Sequence, residues 1–269
     1  ALRYEVLGPV RAHLLSQRTC APEIAARIRE GHLQRLVERA LEWSPLLDGP
    51  SGEVTLARFD DEQADIHALI VWALTTDRRA DAIRLALAAH GYWRVSGRLI
   101  EASAILGRIN VHGLDAATRA RLRLAQARIA YQQDDRDAAA TACQAAIEDA
   151  EAAPDVLPGA LAYLAAVQVG DGDVVVGAAN AQRALDLISD QPDSSVQLVA
   201  LAALAIASAI SGDFAAERRY HEERLAVVRA RGDQAGIADT LNTLAEIALD
   251  TPDVELARSY ADEALRLAG

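Results

Sequence analysis

The chain has 269 residues, room for one or two domains with a sizeable core, and its net charge is −12. Apolar residues make up 51% and aromatics only 4%, so Ala, Leu, Val and Ile fill the core, which suits closely packed helices better than an aromatic-rich sandwich. All 27 basic residues are Arg, which excludes Schiff-base and P-loop lysine chemistry, and the acidic mean field has the wrong sign for direct nucleic-acid contact.

In chain order, the sequence opens on Ala1 without a charged-then-apolar leader, so a cytoplasmic segment of a longer protein is expected. No stretch approaches about 18 uninterrupted apolar residues, so no membrane partner is expected. Arg3–Leu7 reads as a short extended run, Gly8-Pro9 as a turn and Val10 as a helix start. Cys20 and Cys143 are isolated, which fits a reducing compartment and neither a disulfide framework nor a metal site. From Pro22 to Leu74 the pattern is helical without a clear repeat. Leu33, Leu36, Val37, Ala40 and Leu41 form one stripe that stops at Pro45 and the Asp48-Gly49-Pro50 turn. Asp60 is expected to cap the next helix, with Phe59, Ile66, Leu69, Ile70 and Ala73 on one face.

A repeat follows. "LAYLAAVQVGDGDVVVGAANAQRAL", "LAALAIASAISGDFAAERRYHEERL" and "LNTLAEIALDTPDVELARSYADEAL" start at Leu161, Leu201 and Leu241, 40 residues apart each time. Ala165, Ala205 and Ala245 keep that spacing, as do the turns Gly172-Asp173, Gly212-Asp213 and Pro252-Asp253. Each second helix is expected to end at Leu185, Leu225 or Leu265. Weaker copies place Trp93, Gly97 and Ala102, then Ala127, Ala139 and Ala146, on the same scheme. A small residue at the crossing lets two helices approach, and the corner Asp can cap the second. One hairpin cannot bury its own apolar face, so neighbours must stack. The pattern resembles the tetratricopeptide repeat, with a period longer than the usual 34 or so.

The order of segments also resembles the C-terminal region of large ATP-binding transcriptional regulators of GC-rich bacteria, the SARP-type and large LuxR-type members of the STAND ATPases. Arg3, Tyr4, Val6, Leu7, Val10 and Arg11 match the last strand and helix of that family's winged helix, with Gly8-Pro9 in place of the more usual acidic-Thr pair. His32 to Pro50 matches the following helix, and Phe59, Asp60, Glu62, Asp65, Ile66, Trp72, Ala73 and Leu74 match the next. The resemblance implies an all-α fold: a right-handed superhelix of tetratricopeptide-like hairpins preceded by a short winged-helix remnant. It implies a remnant over 1–20, a helical linker over 21–76 and the repeat array over 77–269. The sequence lacks Gly-x-x-x-x-Gly-Lys-Ser/Thr, so any ATP site is expected upstream.

No catalytic residue, cofactor or metal ligand is expected. The six histidines form no His-x-x-x-His pair, and no Gly-x-Ser-x-Gly elbow is present. Trp43, Trp72 and Trp93 read as gap-fillers between hairpins. In a tetratricopeptide superhelix the first helix of each hairpin lines the concave groove. That face maps to Arg84, Leu87 and Arg94, then Arg121, Arg128 and Tyr131. It continues through Ala162, Ala166, Ala202 and Ile206 to Asp239, Asn242 and Glu246. Arg84, Arg94, Arg121 and Arg128 are the anion-recognition candidates, with Tyr131 as an aromatic surface and Asn242 and Glu246 as the opposite pole. The alternative is an ordinary solvated helix face. Two functions are open. One is a non-catalytic sensor arm that binds a peptide, protein or small anionic effector and controls an upstream ATPase. The other is a free-standing tetratricopeptide scaffold, with self-association through repeats possible for either.

Overall fold

The computed structural model describes residues 22–49, 51–189, 194–250 and 253–268; the expected strand Arg3–Leu7, the Gly8-Pro9 turn and Cys20 lie outside them. Among the described residues there are twelve α-helices and no strand. We number them α1 (Pro22–Trp43), α2 (Gly52–Leu74), α3 (Arg79–Val95), α4 (Leu99–Gly107), α5 (Ala116–Gln132) and α6 (Arg136–Glu148). The rest are α7 (Leu157–Gly170), α8 (Val174–Leu187), α9 (Ser194–Ile210), α10 (Phe214–Arg231), α11 (Gln234–Asp250) and α12 (Val254–Ala268). From α3 onward they pack as five consecutive hairpins, giving an all-α helical-repeat superhelix.

The hairpins are closed by the chemistry of their corners. Gly172 and Gly212 adopt φ of 93° and 76°, the left-handed region that reverses the chain at the end of a helix. Aspartates then cap helices: Asp115 accepts from Thr118 N, Asp135 from Ala138 N, Asp213 from Ala216 N and Asp253 from Leu256 N. Asp173 departs from the expected pattern, since its side chain makes no cap bond. The first-helix positions Ala165, Ala205 and Ala245 are all buried. All three expected helix ends move outward, α8 by two residues from Leu185 to Leu187. The second helix of the fourth hairpin runs past Leu225 to Arg231, and α12 passes an exposed Leu265 to reach Ala268.

Helices α1 and α2 share the first core. Leu33, Leu36, Val37 and Ala40 are buried against Phe59, Ile66, Ile70 and the α3 residues Leu85, Tyr92 and Trp93. Leu41 falls off that stripe and is exposed. The aromatic rings bind the layer together: Trp43 meets Phe59 edge-on at 5.4 Å, and Phe59 stacks on Tyr92 at 5.0 Å. Trp72 is half-buried against the same core. Asp60 is not a cap, because α2 begins at Gly52 and places it mid-helix, where it accepts a 2.7 Å bond from the Tyr92 hydroxyl.

The stacking distinguishes two layers. First helices touch in succession, α3 on α5, α5 on α7 and α7 on α9, whereas α4, α6, α8 and α10 make no more than marginal contact with one another. Converging helices lie on the inside of a curve and diverging ones on the outside. Residues facing out from α3, α5, α7 and α9 therefore line the inner face.

Candidate functional site on the inner face

On α3, Arg84, Leu87, His90 and Arg94 recur at three- and four-residue steps and so share one side of the helix. On α5, Arg121 and Arg128 do the same. Between these helices and the end of α1 lies a cleft of about 670 Å³, floored by Leu41, Pro45, Ile83, Leu87 and Leu114. Arg84 and Arg121 stand in its wall. Apolar floor with a few charged groups is the usual make-up of a ligand site. Neither arginine is a free cation, however: Arg84 reaches Asp81 at 3.4 Å and Arg121 reaches Asp155 at 3.0 Å. The Arg121–Asp155 pair is well exposed and hence weak and exchangeable; Arg84 is exposed as well, but its partner Asp81 is only 17% exposed. A second cleft of about 650 Å³ between α4, α5 and α6 contains none of the expected site residues.

Arg94 and Arg128 are organised differently. Arg94 donates to Asp48 at 3.0 Å, and Arg231, from the far end of α10, donates to the same carboxylate at 2.8 Å and to its backbone carbonyl at 3.2 Å. Burial drives the Asp48 pKa upward, but the two arginines outweigh it and hold the group below its ordinary value. Asp48 is therefore ionised and shared by two guanidinium groups from helices distant in sequence.

Arg128 has no carboxylate within 4 Å among the described residues. Its Nη1 lies 3.3 Å from His90 Nε2, its guanidinium lies 5.7 Å from the Tyr163 ring centre, and its Nε is buried without an acceptor. His90 Nδ1 lies 2.6 Å from the Leu87 carbonyl, which can only accept, so Nδ1 carries the proton and Nε2 accepts from Arg128. Burial and the neighbouring Arg128 push the His90 pKa down to about 4, so the ring is neutral. Gly159 on α7 leaves the space Arg128 occupies; a Cβ there would lie 3.2 Å from its Nη2 and 3.1 Å from a Leu124 methyl. Tyr131, 37% exposed, packs edge-on against Tyr163 at 5.3 Å.

The structure thus brings Arg84 and Arg121 into one cleft, and places Arg128 and Arg94 both within electrostatic reach of His90. Asn242 and Glu246 are exposed on α11, which packs on α10 and α12 and not on α3 or α5, the helices carrying Arg84, Arg94, Arg121 and Arg128. Of the expected groove residues in the middle repeats, Ile206 is 51% exposed, but Ala162 is fully buried and belongs to the core. Sequence reasoning missed Asp48, His90 and Arg231. Asp48 was legible only as a turn residue, and Arg231 fell beyond the assumed helix end. One titratable group also forms that spacing did not reveal: His32, Glu62 and Asp65 place ligand atoms within 4.8 Å of one another. Arg39 already holds Glu62 at 3.2 Å, and that positive charge opposes a cation.

The fold has a counterpart among solved structures. BtubC (BKLC) from P. vanneervenii superposes with a TM-score of 0.56 over 88% of this chain and 91% of that one, at 14% sequence identity. At that identity the likeness is one of fold alone. No protein-family model matches the sequence, and no curated protein matches it. No helix among the described residues is long and apolar enough to cross a membrane.

Proposed function

We propose that this chain is a non-catalytic interaction arm whose inner face takes an acidic peptide or a small anionic effector, and that it serves as the sensor of an ATP-dependent bacterial transcriptional regulator. The observation that carries the binding reading is the apolar cleft walled by Arg84 and Arg121 on the close-packed inner layer. An anion can take Arg121 from its exposed aspartate at little cost and lies beside the exposed Arg84 guanidinium, while the apolar floor holds whatever is attached to it. The regulator reading is supported by the ordered match of Arg3–Arg11, His32–Pro50 and Phe59–Leu74 to the STAND regulators. Cytoplasmic location and the absence of direct nucleic-acid contact by this segment go with that reading.

Two measurements test it. Acidic peptides displayed on an array should be retained by the protein. Changing Arg121→Ala should then weaken binding roughly 10- to 100-fold, the equivalent of about 1.5–3 kcal/mol for one charge-assisted contact. Retention that is indifferent to Arg84→Ala and Arg121→Ala would return both side chains to a solvated surface. For the regulator role, the reading frame upstream of Ala1 should encode a P-loop and the remainder of a winged helix; a frame that starts near Ala1 would leave a scaffold.

A further inference from the structure

The inner face also carries unbalanced positive charge outside the cleft. Arg84 and Arg121 each have a carboxylate of their own, but Arg94 and Arg231 divide one, and Arg128 has none within 4 Å among the described residues. Three guanidinium groups and one carboxylate leave a local excess of two positive charges. The node is also sheltered: the side chains of Arg94 and Arg231 are 20% and 16% exposed, so solvent screens them less than the pairs in the cleft. A buried Arg128 Nε without an acceptor is a donor still to be satisfied.

We propose that the node formed by Asp48, Arg94, Arg231 and Arg128 is a binding site for a phosphate-bearing small molecule, with Asp48 occupying the arginines until the phosphate displaces it. This rests on the reading of the inner face as the ligand-binding face. The chemistry follows from charge and shape. A phosphate monoester carries about −1.5 to −2 near neutral pH, matching the excess, and its oxygens accept from several guanidinium groups in their bidentate geometry. A monocarboxylate would only replace Asp48 by its like and leave Arg128 unpaired. His90 holds Arg128 by a single bond to a neutral ring, which an anion outcompetes.

Displacement has a structural consequence. Asp48 lies in the turn between α1 and α2, so its carboxylate can withdraw without unwinding a helix. It is 183 residues from Arg231, and their contact ties that turn to the end of the fourth hairpin. Phosphate binding therefore releases a link between distant parts of the superhelix, which is how occupancy would be transmitted along the arm.

The test is calorimetric titration of the full chain at constant ionic strength and pH 7.5 with phenyl phosphate, inorganic phosphate and acetate. Both phosphates should bind, and acetate, a monocarboxylate, at least 10-fold more weakly. Arg128→Gln, which leaves the Asp48 link intact, should weaken phosphate at least 10-fold without lowering the melting temperature. Asp48→Asn, checked for folding by circular dichroism, removes the competitor and should tighten phosphate at least 5-fold. Spin labels at Glu42→Cys and Ala230→Cys should move apart on binding. A purely structural ion-pair node gives the opposite record: no heat with either phosphate, or affinity unchanged or weakened in Asp48→Asn, and either result overturns the proposal. If phosphate fails while acidic peptides still depend on Arg121, the node alone is refuted. If both fail, the inner-face reading falls with it.

Discussion

Arg121 and Arg128 sit seven residues apart on one face of α5, and in the sequence they are equivalent. In the fold they are not. Arg121 meets an exposed aspartate 34 residues on, whereas Arg128 meets a neutral histidine 38 residues back and fills the space beside Gly159. Periodicity gives the face a side chain points from, but its partners come from neighbouring hairpins, so its free charge is not legible locally. The same lesson applies at the corners. Gly97, Gly172 and Gly212 take positive φ, and so does Asp134, at 58°, where the second hairpin turns. A side chain pays roughly 1 kcal/mol or more in that region, somewhat less for Asp, and the exposed Asp134–Arg136 contact returns little. Asp134→Gly should therefore stabilise the protein by about 0.5 kcal/mol after glycine's greater entropy loss is allowed for. Urea melts check it; a lowered midpoint would show that Asp134 is held there by something other than turn geometry.

At the scale of the helix pair, one position recurs four residues into the second helix of every hairpin. The amides of Ala102, Ala139, Gly177, Glu217 and Ala257 bond back to the carbonyls of Arg98, Asp135, Asp173, Asp213 and Asp253, so the five are structurally equivalent. Three are Ala, and the other two predict opposite outcomes. At Gly177 an added Cβ would lie 2.6 Å from a Val169 methyl and 3.0 Å from both the Ala165 carbonyl oxygen and the Val169 amide nitrogen. Backbone cannot yield as a side chain does, so Gly177→Ala should destabilise by about 1–3 kcal/mol. Glu217 is half-buried at the same place, and burial, together with nearby Asp250, raises its pKa. Glu217→Ala should raise the melting temperature by a few degrees, as about 1 kcal/mol does in a protein of this size. The sign with pH follows from linkage. A carboxyl whose folded pKa is raised favours the folded state below its unfolded pKa and loses that advantage as pH rises through the folded value. The gain from Glu217→Ala should thus be larger at pH 7 than at pH 4. Equal gains at both would assign it to helix propensity instead. The sequence displayed the alanines of this motif plainly; it did not show which crossings were tight, since that depends on how closely each particular pair of helices approaches.

Over the whole molecule, the repeat and its all-helical character were legible because small residues, Gly-Asp corners and apolar stripes are local signals that recur. The pitch was not. The Asp48–Arg231 contact exists only because small rotations between successive hairpins accumulate until the end of α10 reaches the turn after α1. No spacing within one repeat encodes that sum. The inner face also makes the whole fold sensitive to acid, in two successive windows. His90 titrates near 6.5 when unfolded and about 4 when folded, so between those values the unfolded chain binds a proton that the folded one refuses. Stability is then complete above about pH 6.5 and falls as pH drops toward 4. His221, lowered by burial and Arg224, acts in the same direction. Asp48 is lowered as well, so its contribution is present above its unfolded value of 3.8 and is lost only as pH falls through the still lower folded value. The histidine loss therefore comes first, and for His90 it amounts to at most about 3 kcal/mol, because part of the residue is open to solvent. Melting temperature followed from pH 8 to pH 4 should fall through the upper window. In His90→Gln, whose side-chain carbonyl can still accept from Arg128, the decline should be shallower. Parallel profiles for the two proteins would show that His90 takes up its proton in the folded state and that the inner face is wetter than its packing implies.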